Sequence, residues 1–341
     1  MTLVWLKFVV CLAIILFAGT KLARYGDAIA EKTGLGRIWI GLILIAAITT
    51  MPELVTSVSS VALVRPPSPD LALGTLFGSC LFNLSILALL DILHAHTPVL
   101  TEANPRHTAS AGWGILLIAI AAGGIIAEKR LPGLALGWVG IPSIIILILY
   151  LAGMRRMFLS ERSHQLSAAK ADSLQYKEIP ARTVYLRFAL AAAAVSGGGI
   201  WLAFVGDEIA GVTGWGASFV GSLFLAITTS APELVVAITA LRLGAIDMAV
   251  ADVLGANMLD IAVIFPADLF YIRGGPVLSS VSSSHLITAA VVVMMNLLVI
   301  AGLRLRQRRK ALVFISWYAL ALIGLYIFGA YALFTSGTGL R

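Results

Sequence analysis

Ile48-Thr49-Thr50-Met51-Pro52-Glu53-Leu54-Val55 and Ile227-Thr228-Thr229-Ser230-Ala231-Pro232-Glu233-Leu234-Val235 decide how this chain is read. Each stretch sets a proline and a carboxylate inside an apolar run. An ionisable group buried in hydrocarbon is expensive, so a merely structural role is a poor explanation for it. The proline lacks a backbone donor and crowds the carbonyl four residues back, which frees oxygens around Ile48 and Thr228. Free carbonyls, hydroxyls and carboxylates together are what a hard cation requires.

The composition around these stretches is that of a membrane protein. Of 341 residues, 60% are hydrophobic and 12% charged, and the mean hydropathy is +0.98. A soluble domain carries roughly twice as much charge. The net charge of +7 comes from basic residues in short gaps between apolar runs, so it signals topology and excludes a nucleic-acid surface. Cys11 and Cys80 both fall inside apolar runs and are too few for a disulfide framework or a thiolate metal site. Phe8 to Ala18 has the length of a signal-peptide core, yet Lys21 and Arg24 follow directly, so it is expected to stay as a first helix.

Apolar runs long enough to span a bilayer recur along the chain. They predict about ten helices, near Leu3 to Gly19, Ile38 to Leu63, Leu71 to Leu93, Ala111 to Ala127, Leu134 to Gly153, Val184 to Val205, Trp215 to Leu241, Ile246 to Tyr271, Leu286 to Leu303 and Ala311 to Phe334. Most of the 24 Lys and Arg residues fall in alternate gaps, with the largest groups at Arg155 to Arg187 and at Arg304 to Lys310. That bias predicts a multi-pass protein with both termini on the non-cytoplasmic side, and the absence of a large regulatory loop and of an obvious targeting peptide leads to the expectation of the cell (plasma) membrane. The polar stretch 155–183 reads as a cytoplasmic linker between a first unit, 1–154, and a second, 184–341.

The two units are repeats. Gly26-Asp27, Ile29-Ala30 and Thr33-Gly34 recur as Gly206-Asp207, Ile209-Ala210 and Thr213-Gly214, at the spacing that also links Pro52 to Pro232 and Glu53 to Glu233. Beyond the prolines the spacing shortens by three positions, because the first hairpin carries extra residues around Arg65-Pro66-Pro67-Ser68-Pro69. Asp70 then pairs with Asp247, Gly78 with Gly255 and Asn83 with Asp260. Agreement at a constant spacing marks an internal duplication. Five helices per copy force the second copy to enter the membrane from the opposite side, giving an all-α integral membrane fold of two inverted five-helix repeats.

After Glu53 comes Gly74-Thr75-Leu76-Phe77-Gly78-Ser79-Cys80-Leu81-Phe82-Asn83. Gly74 and Gly78 share a helix face and allow close approach, while Ser79 and Asn83 share another that can look toward Glu53. The second copy reads Ala251-Asp252-Val253-Leu254-Gly255-Ala256-Asn257-Met258-Leu259-Asp260. Thr-x-x-Pro-Glu followed by Gly-Ser-x-x-Phe-Asn, echoed in an inverted second half, resembles the two alpha-repeats of the sodium/calcium exchangers within the cation/calcium antiporter superfamily. The likeness is strongest over residues 46–87 and 226–264.

The resemblance implies ten helices and a calcium site held by Glu53 and Glu233, with oxygens from Thr49 and Thr229. It further implies that Thr50, Ser230, Ser79, Asn83 and Asp260 serve sodium sites or a central watery site. Four positions depart from the family pattern: Ala256 stands where a serine is usual, Cys80 and Thr75 where asparagines are common, and Asp252 adds an acid opposite Thr75. Fewer neutral oxygens and more carboxylates favour proton coupling as the alternative to sodium.

The expectation is therefore a secondary active antiporter that exchanges calcium for sodium by alternating access, with a calcium/proton (or other divalent/proton) antiporter as the alternative. A passive cation channel or calcium-sensing membrane protein is the reading from another class. No nucleophile and base occur at a useful spacing, so an enzyme is not expected. Inorganic cations and membrane lipids are the expected partners, with no cofactor and no obligate protein partner. The five histidines, His94, His96, His107, His164 and His285, are expected on solvated surfaces, and Asp27 and Asp207 at helix ends.

Overall fold

The computed structural model describes residues 2–33, 46–94, 97–131, 133–165, 180–306, 310–311 and 315–338. The chain runs α1 (Thr2–Thr33), α2 (Ala46–Thr49), α3 (Met51–Ala62), α4 (Pro69–Leu93), the short α5 (Val99–Glu102) and α6 (His107–Arg130). A hairpin of β1 (Ala135–Leu136) and β2 (Val139–Gly140) leads into α7 (Ile141–Gln165). The second half runs α8 (Ala181–Thr213), α9 (Ala217–Val220), a π-helical turn at Gly221–Leu225, α10 (Ala226–Thr229) and α11 (Ala231–Arg242). It continues through α12 (Ile246–Ala262), α13 (Ile264–Phe270), the short α14 (Val277–Ser280), α15 (His285–Leu305) and α16 (Trp317–Thr338).

Counting each broken helix once and leaving aside the short α5 and α14, the described helices form ten segments, five from each half. Among the described residues, seven helices are long and apolar enough to cross a membrane, and the pair 217–229 and 231–242, bent by 45°, makes an eighth. The centre of the bundle is shared between the repeats. The apolar windows of Pro69–Leu93 and Ile246–Phe270 are 72% and 78% buried, whereas those of Thr2–Gly26 and Trp317–Ser336 are 28% and 22% buried and form the rim.

Repeat mates lie against each other, and they do so antiparallel. Lys7 near the start of α1 donates to Glu208 near the end of α8 at 2.7 Å. Lys129 at the end of α6 reaches Ser283, just before α15, at 3.1 Å. Between α4 and α12 the contact is reciprocal: Cys80 Sγ donates to the Asn257 carbonyl at 3.6 Å, and Asn257 Nδ2 donates to the Cys80 carbonyl at 3.4 Å. A patch that returns its own contact is the mark of a two-fold axis. Antiparallel mates about that axis are the inverted arrangement that an odd helix number demands.

The central helices approach so closely because their contact face lacks side chains. A Cβ on Gly74 would lie 2.8 Å from the Ser218 carbonyl, one on Gly78 would collide with the Ser222 backbone, and one on Gly221 would lie 2.6 Å from the Leu71 carbonyl. In lipid, where tails are as apolar as leucine, such backbone contact replaces the hydrophobic effect as the source of helix association. The π-helical turn, Gly221–Leu225, lies at this contact, and turns of this kind often mark functional positions.

Several helix limits differ from expectation for local reasons. The expected fifth helix starts at Ile141 because Ala135↔Gly140 and Leu136↔Val139 pair as a hairpin. At its other end α7 continues to Gln165, into the stretch expected to be linker. Residues 38–45 of the expected second helix and 166–179 of the linker lie outside the described residues. Asp27 and Asp207 sit within α1 and α8, which run several residues past the expected ends. His285 is fully buried and bonds Asp70 at 3.0 Å and Ser218 at 3.2 Å, so its expected surface role is overturned. Its repeat counterpart, His107, bonds Asp247 at 3.1 Å, so two related Asp-His contacts tie the halves together.

Replacing Gly78 by valine should drive α4 away from the π-helical turn. The expected outcome is loss of monodisperse protein on size-exclusion chromatography in detergent, while Gly197→Val, where a Cβ meets open space, elutes normally.

Candidate ion-binding site

Both Pro-Glu motifs sit where a helix breaks. Thr50 and Ser230 are the residues at the break, and each is followed by a helix with proline at its second position and glutamate at its third. The backbone geometry follows from proline, which is welcome in a first helical turn and excluded from an interior. Each break leaves the carbonyl end of one short helix (α2, α10) and the amide end of the next (α3, α11) in the middle of the bundle. The amide ends favour the glutamates that lie in their first turns.

The repeats complete each other's site. Glu53 Oε1 accepts hydrogen bonds from Ser230 Oγ at 2.8 Å and from Ser79 Oγ at 3.3 Å. Ser79 Oγ lies 3.5 Å from Thr229 Oγ1, and Thr229 Oγ1 donates to the Ala226 carbonyl at 3.3 Å. Asn83 Nδ2 donates to Asp260 Oδ2 at 3.3 Å, joining two positions that the duplication equates. Glu53, Glu233, Asp252 and Asp260 are all buried, as are Thr49, Thr50, Ser79, Asn83, Thr229 and Ser230. Glu53, Asp260 and Asp252 all act electrostatically on Glu233.

These groups hold more oxygen than the protein itself satisfies. Glu53 Oε2, both oxygens of Glu233, both of Asp252, Asp260 Oδ1, Asn83 Oδ1 and Thr50 Oγ1 are buried without a hydrogen-bond partner. Most buried polar atoms in proteins have partners, so such a concentration is unusual and makes this region the candidate site. The acids do not converge into a ready cage: among the described residues, no three His, Cys, Asp or Glu side chains are grouped to hold a metal ion.

The residues named from sequence are thus brought to one region, with Thr75 and Asp252 showing how the repeats diverge. Thr75 Oγ1 turns back to the Leu71 carbonyl at 2.9 Å, whereas Asp252 in the matching place keeps two free oxygens. Asn257 went unassigned in the sequence. It is buried, contacts Cys80 across the axis and leaves Oδ1 unpartnered. Its signal was its position opposite Cys80 in the duplication.

The fold and the site define a membrane carrier for cations. The model of the family "Sodium/calcium exchanger protein" matches residues 3–155 and 183–335, so the chain belongs to that family of transporters. A curated relative, "Inner membrane protein YrbG" of Escherichia coli (strain K12), is 25% identical over 272 residues, spanning 75% of this chain and 76% of the relative. The solved structure of native YfkE superposes with a TM-score of 0.66 at 19% identity, covering 96% of this chain and 91% of that one. A structure of the sodium-calcium exchanger NCX_Mj, soaked with 2.5 mM Na+ and 0.1 mM Ca2+, superposes with a TM-score of 0.61 at 19% identity, covering 96% and 98%. At those identities the two structures speak for the fold.

The Glu53–Ser230 contact links the repeats energetically as well as geometrically. Thermal midpoints of Glu53→Gln, Ser230→Ala and the double variant, measured by tryptophan fluorescence in detergent, should be non-additive. The expected coupling corresponds to about 0.5–3 kcal/mol; simple additivity would mean the hydroxyl does not hold the carboxylate.

Proposed function

We propose that this protein exports calcium across the cell membrane in exchange for sodium entering from outside, by alternating access at the paired Pro-Glu breaks. One observation carries the reading: Glu53 of one repeat is bonded by Ser230 of the other, while Glu233 stays unpartnered beside it. Two glutamates neutralise one divalent cation, and hydroxyls and carbonyls supply neutral oxygens toward the six to eight that calcium takes. Thr49 and Thr229 would complete the calcium shell, and Thr50, Ser230, Ser79, Asn83 and Asp260 the sodium positions. Sodium ions sharing these oxygens compete with calcium. An empty site would leave buried charges unpaired, and that cost holds back any crossing without cargo.

A second reading has its own support. Ala256 lacks the hydroxyl that Ser79 contributes, and Asp252 and Asp260 replace the neutral Thr75 and Asn83 of the first repeat. A carboxylate can trade its proton for a metal, so these substitutions favour proton-driven exchange. Both readings predict counterflow, which a channel does not need.

The experiment is calcium uptake into proteoliposomes under an imposed sodium gradient, then under a pH gradient, with the other clamped. Sodium-driven uptake at constant pH is the expected result; uptake driven by pH alone would refute sodium coupling. Glu53→Gln and Glu233→Gln should each abolish uptake while eluting as folded protein. Uptake like that of the parent in either variant would remove the glutamates from the site.

A further inference from the structure

A second pair of buried acids lies outside the transport region, and its repeat counterpart shows what it lacks. In the first half, Asp91 at the end of α4 is fully buried and ties down the loop that follows. Its Oδ1 accepts the Val99 amide at 3.1 Å and its Oδ2 the Ser316 amide at 2.8 Å. In the second half Asp268, at the matching position, repeats the arrangement: Oδ1 accepts the Val277 amide at 2.7 Å and Oδ2 the Gly140 amide at 2.8 Å.

The two differ in the charge beside them. Asp91 has a cation, since Lys310 Nζ, itself buried, lies 3.9 Å from Oδ2 and donates to the His94 carbonyl at 2.7 Å. Asp268 has a second carboxylate instead. Glu128, in the last turn of α6, is 6% exposed, and neither of its carboxylate oxygens has a hydrogen-bond partner. The Ser279 amide approaches it, but that group is already bonded to the Pro276 carbonyl at 3.1 Å. Lys129 next in sequence turns away to Ser283, and Arg130 is exposed. Among the described residues, no ion pair is formed by Glu128 or Asp268.

Glu128 can reach toward Asp268 because residue 140 is glycine and leaves room for its carboxylate. A Cβ there would collide with Glu128 Oε1 and lie 3.3 Å from Asp268 Oδ2. Glu128 Oε1 and Asp268 Oδ2 thus both lie near one point over Gly140, and a hard ion joining two such carboxylates would need metal–oxygen distances of roughly 2.3–2.6 Å. The buried Ser143 hydroxyl stands beside Asp268 and offers a neutral oxygen. Asp268 lies two turns beyond Asp260, about 12 Å along a helix, so this is not the transport region.

We propose that Glu128 and Asp268, with Ser143, form a divalent-cation site that clamps the end of α6 to α13 and the β-hairpin, the bound ion doing for this repeat what Lys310 does for the other. Calcium is the fitting class, a hard ion held by carboxylate and hydroxyl oxygens. On the orientation read from the basic residues, the site lies at the non-cytoplasmic face, where a clamp would respond to external calcium.

The test uses the full chain in a detergent without phosphate, carrying Glu53→Gln and Glu233→Gln so that the transport glutamates are silent. Trp138 donates to the Leu269 carbonyl at 3.0 Å, next to Asp268, and can sensitise bound terbium. The expected result is tryptophan-sensitised terbium luminescence that calcium displaces. It should be lost in Glu128→Gln and also in Gly140→Ala, whose methyl would stand where Glu128 Oε1 lies and leaves every charge in place, both checked as folded by size-exclusion chromatography. Luminescence and calcium displacement unchanged in Gly140→Ala or Glu128→Gln would overturn the site. So would a parent protein without calcium-displaceable luminescence, which would mean the acids share a proton instead. Because the transport glutamates are already neutral, either failure leaves the transport reading untouched.

Discussion

Four carboxylates, Glu53, Glu233, Asp252 and Asp260, are buried at the centre of a helical bundle, and among the described residues no basic side chain pairs with any of them. Everything else in the architecture serves that constraint. Charges in such a place must be neutralised by something that is not protein, and the cost of leaving them bare is several kcal/mol per ion even after relaxation.

The helix breaks make the constraint tolerable. In hydrocarbon, irregular backbone survives only where it is enclosed by protein or lines a cavity. Here both breaks, at Thr50 and Ser230, lie at the centre beside the largely buried α4 and α12. Helix ends place partial charges and spare carbonyls at the same spot. The glycine contacts of Gly74, Gly78 and Gly221 then bring one repeat's break within hydrogen-bonding distance of the other's carboxylate. The proximity of Ser230 to Glu53 is thus a product of missing side chains as much as of those present.

Departures from two-fold symmetry carry as much meaning as the symmetry. Asn83 faces Asp260, Thr75 turns inward to its own helix where Asp252 does not, and Lys310 beside Asp91 is replaced by Glu128 beside Asp268. In the first two comparisons the second repeat bears more negative charge than the first; in the third the cation, Lys310, comes from the second half and the acid, Glu128, from the first. A duplicated scaffold with unequal charge can hold unlike ions at positions that the backbone makes equivalent.

Membrane residence, the duplication and the two Pro-Glu motifs were legible in the residues, because hydropathy, spacing and proline are local properties that the bilayer reads directly. Inversion followed from the odd helix number, and the antiparallel contacts of Lys7 with Glu208 agree with it. Asn257, the burial of His285 and the approach of Glu128 to Asp268 over Gly140 were not legible. Each depends on which distant element lies opposite, and the chain records the partners of a helix face only through small residues such as Gly74 and Gly78. The amino-acid sequence determined which groups could meet a cation. Only the tertiary structure decided which oxygens are left without partners, because satisfaction of a buried polar atom is a property of its neighbours in space.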